Sequence, residues 1–268
     1  MLIFSEWFNP DLNLFLKNNE YEIYVDNINI NQSEYKKIFI VTEPRAIKLD
    51  VYNFIKNNSN IFYKIITYDE EFLTLNNSIK CLYGTSWVLS NNNLKVENID
   101  ISFIVGGKCI TNGHRLRHEI YYNLNKINKY IDTFISSAYP IENKYNNKIL
   151  YNDKNIVFSN YAYHLTIENS KQKNYFTEKI IDCFQTMTVP IYYGAQNIGE
   201  YFDINGIIIL EYDDIDYIIN KLNEINLDIF YKDNILSIKK NYELSFNYLD
   251  YDCRLIKVIN DIDNNDNK

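Results

Sequence analysis

Apolar positions along this chain change period repeatedly between the two-residue alternation of strands and the three-to-four-residue spacing of helices. Leu2 to Phe4, Tyr21 to Val25, Lys37 to Val41 and Phe62 to Thr67 read as short strands, with Tyr35-Lys36 leading into the third. Helical spacing fills Pro10 to Asn18, Ile47 to Asn57 and Asp69 to Leu75. A polar cluster, Asn91-Asn92-Asn93, then precedes the apolar strand Ile101 to Val105. Further on, Tyr163 to Ile167 is a strand ended by Glu168-Asn169-Ser170. Thr177 caps a helix with apolar positions Ile180, Ile181, Phe184 and Met187, and Val189 to Tyr193 is a strand closed by Gly194. The strand Ile207 to Leu210, a helix over Asp216 to Ile225 and a helical pattern over Ile238 to Ile259 complete the series. Alternating strands and helices of this kind predict an α/β protein. We expect a first lobe over residues 1–95, a second over 96–245, and over 246–268 a C-terminal helix that ends in a frayed polar tail.

The chain has 268 residues, 46% of them hydrophobic, with 25 Tyr and 15 Phe, which is ample for two packed cores and excludes a disordered chain. A net charge of -8 argues against a nucleic-acid partner, so an anionic substrate would need positive charge concentrated locally. Cys81, Cys109, Cys183 and Cys253 are widely spaced without a CxxC pair, which reads as reduced thiols rather than a zinc site or a disulfide framework. The start MLIFSEWFNPDLN lacks the basic flank of a signal peptide, and no stretch approaches a membrane span. The expectation is a cytoplasmic protein without stable membrane insertion. Oligomeric state is not legible.

The stretch from His164 to Gly194 is the most informative. A strand, a polar loop, a capped helix and a strand form one βαβ unit, in which ligands sit at the carboxyl ends of strands and helix N-termini attract phosphates. No GxSxG, Walker loop or GxGxxG is present. Asp213-Asp214-Ile215-Asp216 has the look of a metal-binding DxD, but reads better as the start of the following helix. His114, His118 and His164 do not cluster at metal-ligand spacing.

Several of these residues also form a longer composite. Ile167-Glu168-Asn169-Ser170, Tyr175, Phe176-Thr177-Glu178-Lys179 and Val189-Pro190-Ile191 to Gly194 resemble the donor-site signature of glycosyltransferase family 10, the α-1,3/4-fucosyltransferases. Upstream, Ile101 to Val105 followed by Leu116 to Leu124 is similar to the family's strand, loop and Arg-led helix. The resemblance spans roughly residues 99 to 210. It implies the GT-B architecture, two Rossmann-like lobes facing a cleft with a final helix that returns to the first lobe, and an inverting transfer of fucose from GDP-fucose to a glycan hydroxyl. It implies no metal or other cofactor; the partners are the nucleotide sugar and the glycan acceptor.

On that resemblance, Arg117 and Lys179 bind the donor diphosphate, and both fall in early turns of predicted helices where cations can neutralise a leaving phosphate. Glu178 takes the position of a donor-hydroxyl ligand, and Asn169 and Tyr175 match further donor contacts. Each has a plain structural alternative: solvated cations, a helix-start charge, a turn amide, a packed ring. Lys108 and Arg115 are second-rank phosphate contacts, Lys108 lying in Val105-Gly106-Gly107-Lys108, which departs from the family's SN pattern. Glu168 either touches donor or orients its loop. The acceptor hydroxyl needs a general base. The best-placed carboxylate is Glu43, in a loop at a strand's carboxyl end, where Thr42-Glu43-Pro44-Arg45 replaces the family's Gly-Glu-Asn arrangement; Asp69, Glu70 and Glu71 are the runner-up cluster. The other readings are the same chemistry with a different nucleotide sugar, or an inactive glycan-binding module.

Overall fold

The computed structural model describes residues 2–4, 21–95 and 99–266. In chain order its elements are β1 Leu2–Phe4, β2 Tyr21–Val25, β3 Lys36–Ile40, α1 Leu49–Asn58, β4 Lys64–Thr67, β5 Ser78–Lys80, β6 Ile101–Val105, α2 Asn112–Tyr122, β7 Ile131–Ser136, β8 Lys148–Leu150, α3 Asn155–Phe158, β9 Tyr163–Ile167, α4 Glu178–Gln185, β10 Val189–Tyr193, β11 Ile208–Ile209, α5 Ile215–Glu224, α6 Leu227–Asp233, α7 Ile235–Ser245 and α8 Tyr251–Asp266. They divide into two compact units. One takes in the chain up to Tyr83, Lys173–Tyr175 and the segment from Asp250, and the other takes Gly84–Gln172 and Phe176–Leu249. The segment from Gly84 to Lys95 therefore groups with the second unit. The helix expected over Pro10 to Asn18 lies outside the described residues.

In the first unit β1 to β5 form a parallel sheet in sequential order. Its central strands are apolar on both faces, as strands covered on both sides must be. Tyr24, Phe39 and Ile65 pack with Val51, Tyr52 and Ile55 of α1. The alternate residues Ile23, Ile38, Ile40 and Ile66 pack with Tyr251, Leu255, Ile259 and Ile262 of α8. The C-terminal helix thus belongs to the lobe that holds the first strands, as the resemblance implied.

In the second unit the strand order is β11-β10-β9-β6-β7-β8, all parallel. The chain starts at β6, moves outward to β8, then returns to β9 on the other side of β6. This is the doubly wound Rossmann order, with its reversal between β6 and β9. Those two strands pair only from Ile101 to Phe103 and from Tyr163 to Leu165. Beyond that they continue to Val105 and Ile167 unpaired with each other, so their carboxyl ends part and leave a crevice. Both units are parallel α/β sheets, and the second has the Rossmann strand order.

Two expected helices differ. Asp69 to Leu75 holds only a single 3-10 turn at Phe72–Thr74, because Asp69 Oδ1 accepts from the backbone N–H groups of Glu71 and Phe72 at 3.0 and 3.3 Å and the chain then extends into β5. The pattern over Ile238 to Ile259 is broken at a 3-10 turn, Phe246–Tyr248, which separates α7 in the second unit from α8 in the first. Met187 lies beyond α4, in the left-handed backbone region at φ 54°. Among the described residues no helix is long and apolar enough to cross a membrane.

Candidate active site

The crevice at the β6/β9 reversal opens into a cavity of about 280 Å³ within the second unit. Two helix N-termini are built beside it. Helix α2 is capped by Thr111, whose hydroxyl accepts from His114 N at 3.2 Å, and α4 by Thr177, whose hydroxyl accepts from Lys179 N at 3.4 Å. Both dipoles favour an anion there. Lys108, Arg117, Lys154 and Lys179 line the same cavity. An acidic chain has therefore gathered four cations around one crevice.

Arg117 is held by the end of β9. Its Nη1 donates to the carbonyl of Ile167 at 2.5 Å and its Nη2 to Asn169 Oδ1 at 2.8 Å. Asn169 also lines the cavity, and its own carbonyl accepts from Gly113 N at 3.3 Å, so the loop after β9 and the start of α2 are joined through backbone. At Gly113 a Cβ would lie 1.8 Å from the carbonyl oxygen of Glu168, so no larger residue fits this approach.

Lys179 and Glu178 open α4. Lys179 Nζ stands 3.0 Å from Thr177 Oγ1, 3.3 Å from Glu178 Oε1 and 3.5 Å from Glu168 Oε2. Burial alone would raise the pKa of Glu178, but Lys179, Lys154 and the Thr177 hydroxyl outweigh it and hold the carboxyl down to about 2. Glu178 therefore meets a ligand as a carboxylate, an acceptor suited to sugar hydroxyls.

Glu168 is fully buried and absent from the cavity wall. It receives Thr177 N at 2.9 Å and Thr177 Oγ1 at 2.8 Å. It orients the loop that carries Thr177 and Lys179. Tyr175 also stands apart from the cavity: it groups with the first unit, where its buried ring packs on Tyr68 at 5.4 Å between centroids. Arg115 is exposed on α2, bonded to Ile110 O and Asn112 Oδ1, and does not line the cavity. Lys108 does, with Nζ 3.9 Å from the centroid of Tyr139.

Three of the polar or aromatic cavity residues that the sequence reading left out stand close to the predicted ones. Lys154, just before α3, sits 3.4 Å from Glu178 Oε1 and 3.5 Å from Asp182 Oδ2, with its ammonium 4.2 Å from the ring centre of Trp87. Trp87 is 59% exposed, yet its backbone N–H is fixed at 2.7 Å by the buried Asp182. His114 is the third. Asp182 gave no signal in the sequence, since it shares the polar face of α4 with Glu178 four residues earlier.

Glu43 belongs to the first unit, in the loop after β3. Its backbone N–H and that of Thr42 are both held by the carboxylate of Asp26, at 3.0 Å and 3.1 Å, and Tyr52 OH donates to its carbonyl at 3.3 Å. The runner-up acids are engaged elsewhere: Asp69 in its turn, Glu70 with Lys173 at 3.3 Å, and Glu71 with Arg45 and Lys56.

A parallel doubly wound unit with cationic helix starts at its switch point has the geometry to hold an anionic, phosphate-bearing ligand. Residues 101–232 match the family model described as "Glycosyltransferase family 10 (fucosyltransferase) C-term". The chain is 25% identical over 118 residues to the alpha-(1,3)-fucosyltransferase FucT of Helicobacter pylori; the match covers 44% of this chain but only 19% of that relative's length. Its fold is similar to a crystal structure of an alpha1,3-fucosyltransferase with GDP-fucose, at a TM-score of 0.52 and 19% identity over 87% of this chain and 81% of that one. It is similar as well to the crystal structure of TarM, at a TM-score of 0.57 and 13% identity over 93% of this chain and 56% of that one.

Proposed function

We propose that the chain is an inverting fucosyltransferase that moves fucose from GDP-fucose to a hydroxyl of a glycan acceptor, probed first with GlcNAc-containing glycans. The observation that carries this reading is the convergence of Arg117, Asn169, Glu178 and Lys179 on one cavity at the β6/β9 reversal. Arg117 and Lys179 neutralise the diphosphate as it departs, and Glu178 accepts from donor hydroxyls. Glu43 is the general base. As the acceptor oxygen bonds to the anomeric carbon and the bond from that carbon to the diphosphate oxygen breaks, the acceptor proton passes to the Glu43 carboxylate and GDP leaves. A single displacement of this kind inverts the anomeric centre, and in this reading no metal ion takes part.

The test is transfer from GDP-fucose to a panel of glycans in the presence of EDTA, with product linkage read by NMR and other nucleotide sugars run in parallel. An α-fucosylated product formed from the β-linked donor supports the reading. Transfer from a different nucleotide sugar instead moves the donor assignment, and glycan binding without any nucleotide affinity reduces the chain to a binding module.

A further inference from the structure

Helix α2 closes its first turn in an unusual way. A capping box normally places Glu or Gln three residues after the cap, whose side chain reaches back to the cap's N–H. Here the residue is His114, and its imidazole Nδ1 accepts from Thr111 N at 3.2 Å while standing 2.7 Å from Thr111 Oγ1. A backbone N–H can only donate, so Nδ1 presents its lone pair. In the neutral ring the hydrogen is then on Nε2.

The ring is only 6% exposed and lines the cavity. Nε2 has no hydrogen-bond partner among the described residues, in contrast to His118, whose Nε2 donates to the carbonyl of Gly106 at 2.8 Å. With Nδ1 committed to the cap, Nε2–H is the ring's remaining donor, available to an acceptor in the cavity that the residue lines. Burial, together with Arg117, Lys108, Lys179 and His118 nearby, keeps the ring from taking a second proton until about pH 4. Protonation at Nδ1 would also break the cap.

We infer that His114 is a donor-binding residue whose Nε2–H hydrogen-bonds an oxygen of the nucleotide sugar's diphosphate. The surrounding cations and the α2 dipole concentrate an anion at this end of the cavity, which favours a phosphate oxygen over a nucleobase or sugar hydroxyl. The inference rests on the donor-site reading above and adds to it a neutral contact fixed in one tautomer by the helix cap.

The direct test is the ¹⁵N–¹H spectrum of the histidine rings of the wild-type protein, titrated with GDP and separately with guanosine. GDP should shift the His114 Nε2–H signal and leave its tautomer unchanged, and guanosine should leave the signal in place. In parallel, His114→Leu should weaken GDP about tenfold or more, the range for a hydrogen bond to a charged group, with guanosine affinity unchanged. His114→Gln, whose amide can both accept from the cap and donate, should restore most of the loss. An unmoved signal on GDP binding, or equal losses for GDP and guanosine in His114→Leu, overturns the assignment while leaving the donor site intact. Failure of the wild type to bind GDP overturns both.

Discussion

Gly113 and Glu168 approach so closely that a single added methyl group would sit 1.8 Å from the Glu168 carbonyl oxygen. Neither partner can yield, because one is the first turn of α2 and the other the end of β9, both backbone. This contact sets the distance from which Arg117 reaches Asn169. Gly113→Ala should therefore destabilise by about 1 to 3 kcal/mol, the usual cost of forcing extra volume into a packed site. It should also weaken GDP binding more than the stability loss alone explains. Urea unfolding and calorimetry on the same sample would measure both; a variant with wild-type stability and affinity would show that the two segments can separate freely.

Lys154 bridges two buried carboxylates, Glu178 and Asp182. Lys154→Met leaves both without that counter-charge and should cost about 3 kcal/mol, as removal of one partner from a buried pair does. Lys154→Met combined with Asp182→Asn should recover part of this. Additivity of the two changes in a thermal unfolding series would contradict the coupling.

Asp182 also predicts a pH dependence of definite sign. Burial raises its pKa from 3.8 to about 6, with Glu178 adding to the rise and Lys154, Trp87 N–H and the Ser86 hydroxyl opposing it. In that window the folded protein holds a proton the unfolded chain has lost, so this residue's contribution falls as pH rises from about 4 to 6 and stays low above it. Glu178, held near 2, contributes the opposite way: its share is full above about pH 4.5 and is lost as pH falls toward 2. Asp182→Asn should remove the decline between pH 4 and 6 relative to wild type. Parallel stability profiles for the two proteins across that range would refute the assignment.

The loop carrying Glu43 is fixed by Asp26, so its carboxylate is presented from a set backbone. Glu43→Gln should lower transfer by about 100- to 10,000-fold, the usual worth of general base catalysis, and leave GDP affinity unchanged. Retained turnover in this variant, with loss on changing Asp69, would move the base to the next loop.

The change between apolar runs and helical spacing was enough to read an α/β protein and most of the central strands, since buried parallel strands are continuous hydrophobic stretches, whereas the return of the last helix came from the resemblance. The motif residues at the ends of β9 and α4 were legible for a related reason: strand end, cap and helix start are adjacent in sequence. What was illegible joins distant segments. Nothing in the letters around Lys154 announces its pairing with Glu178 and Asp182, and Tyr175, which the motif offered as a donor contact, packs instead on Tyr68. His114 carried a weak signal in its spacing from Thr111, but histidine is not the residue a capping box leads one to expect. The strands β5 and β8 are too short and too polar to stand out.

The central claim is that the cavity at the β6/β9 reversal holds the diphosphate of a nucleotide sugar between Arg117 and Lys179. Isothermal titration of GDP-fucose into wild type, Arg117→Ala and Lys179→Ala, with EDTA present and folding checked by circular dichroism, tests it most directly. The account predicts binding by the wild type and about a 10- to 100-fold loss in each variant, the range for losing a hydrogen bond to a charged group. Wild-type affinity in both folded variants, or no affinity for GDP-fucose in any of the three, would contradict it.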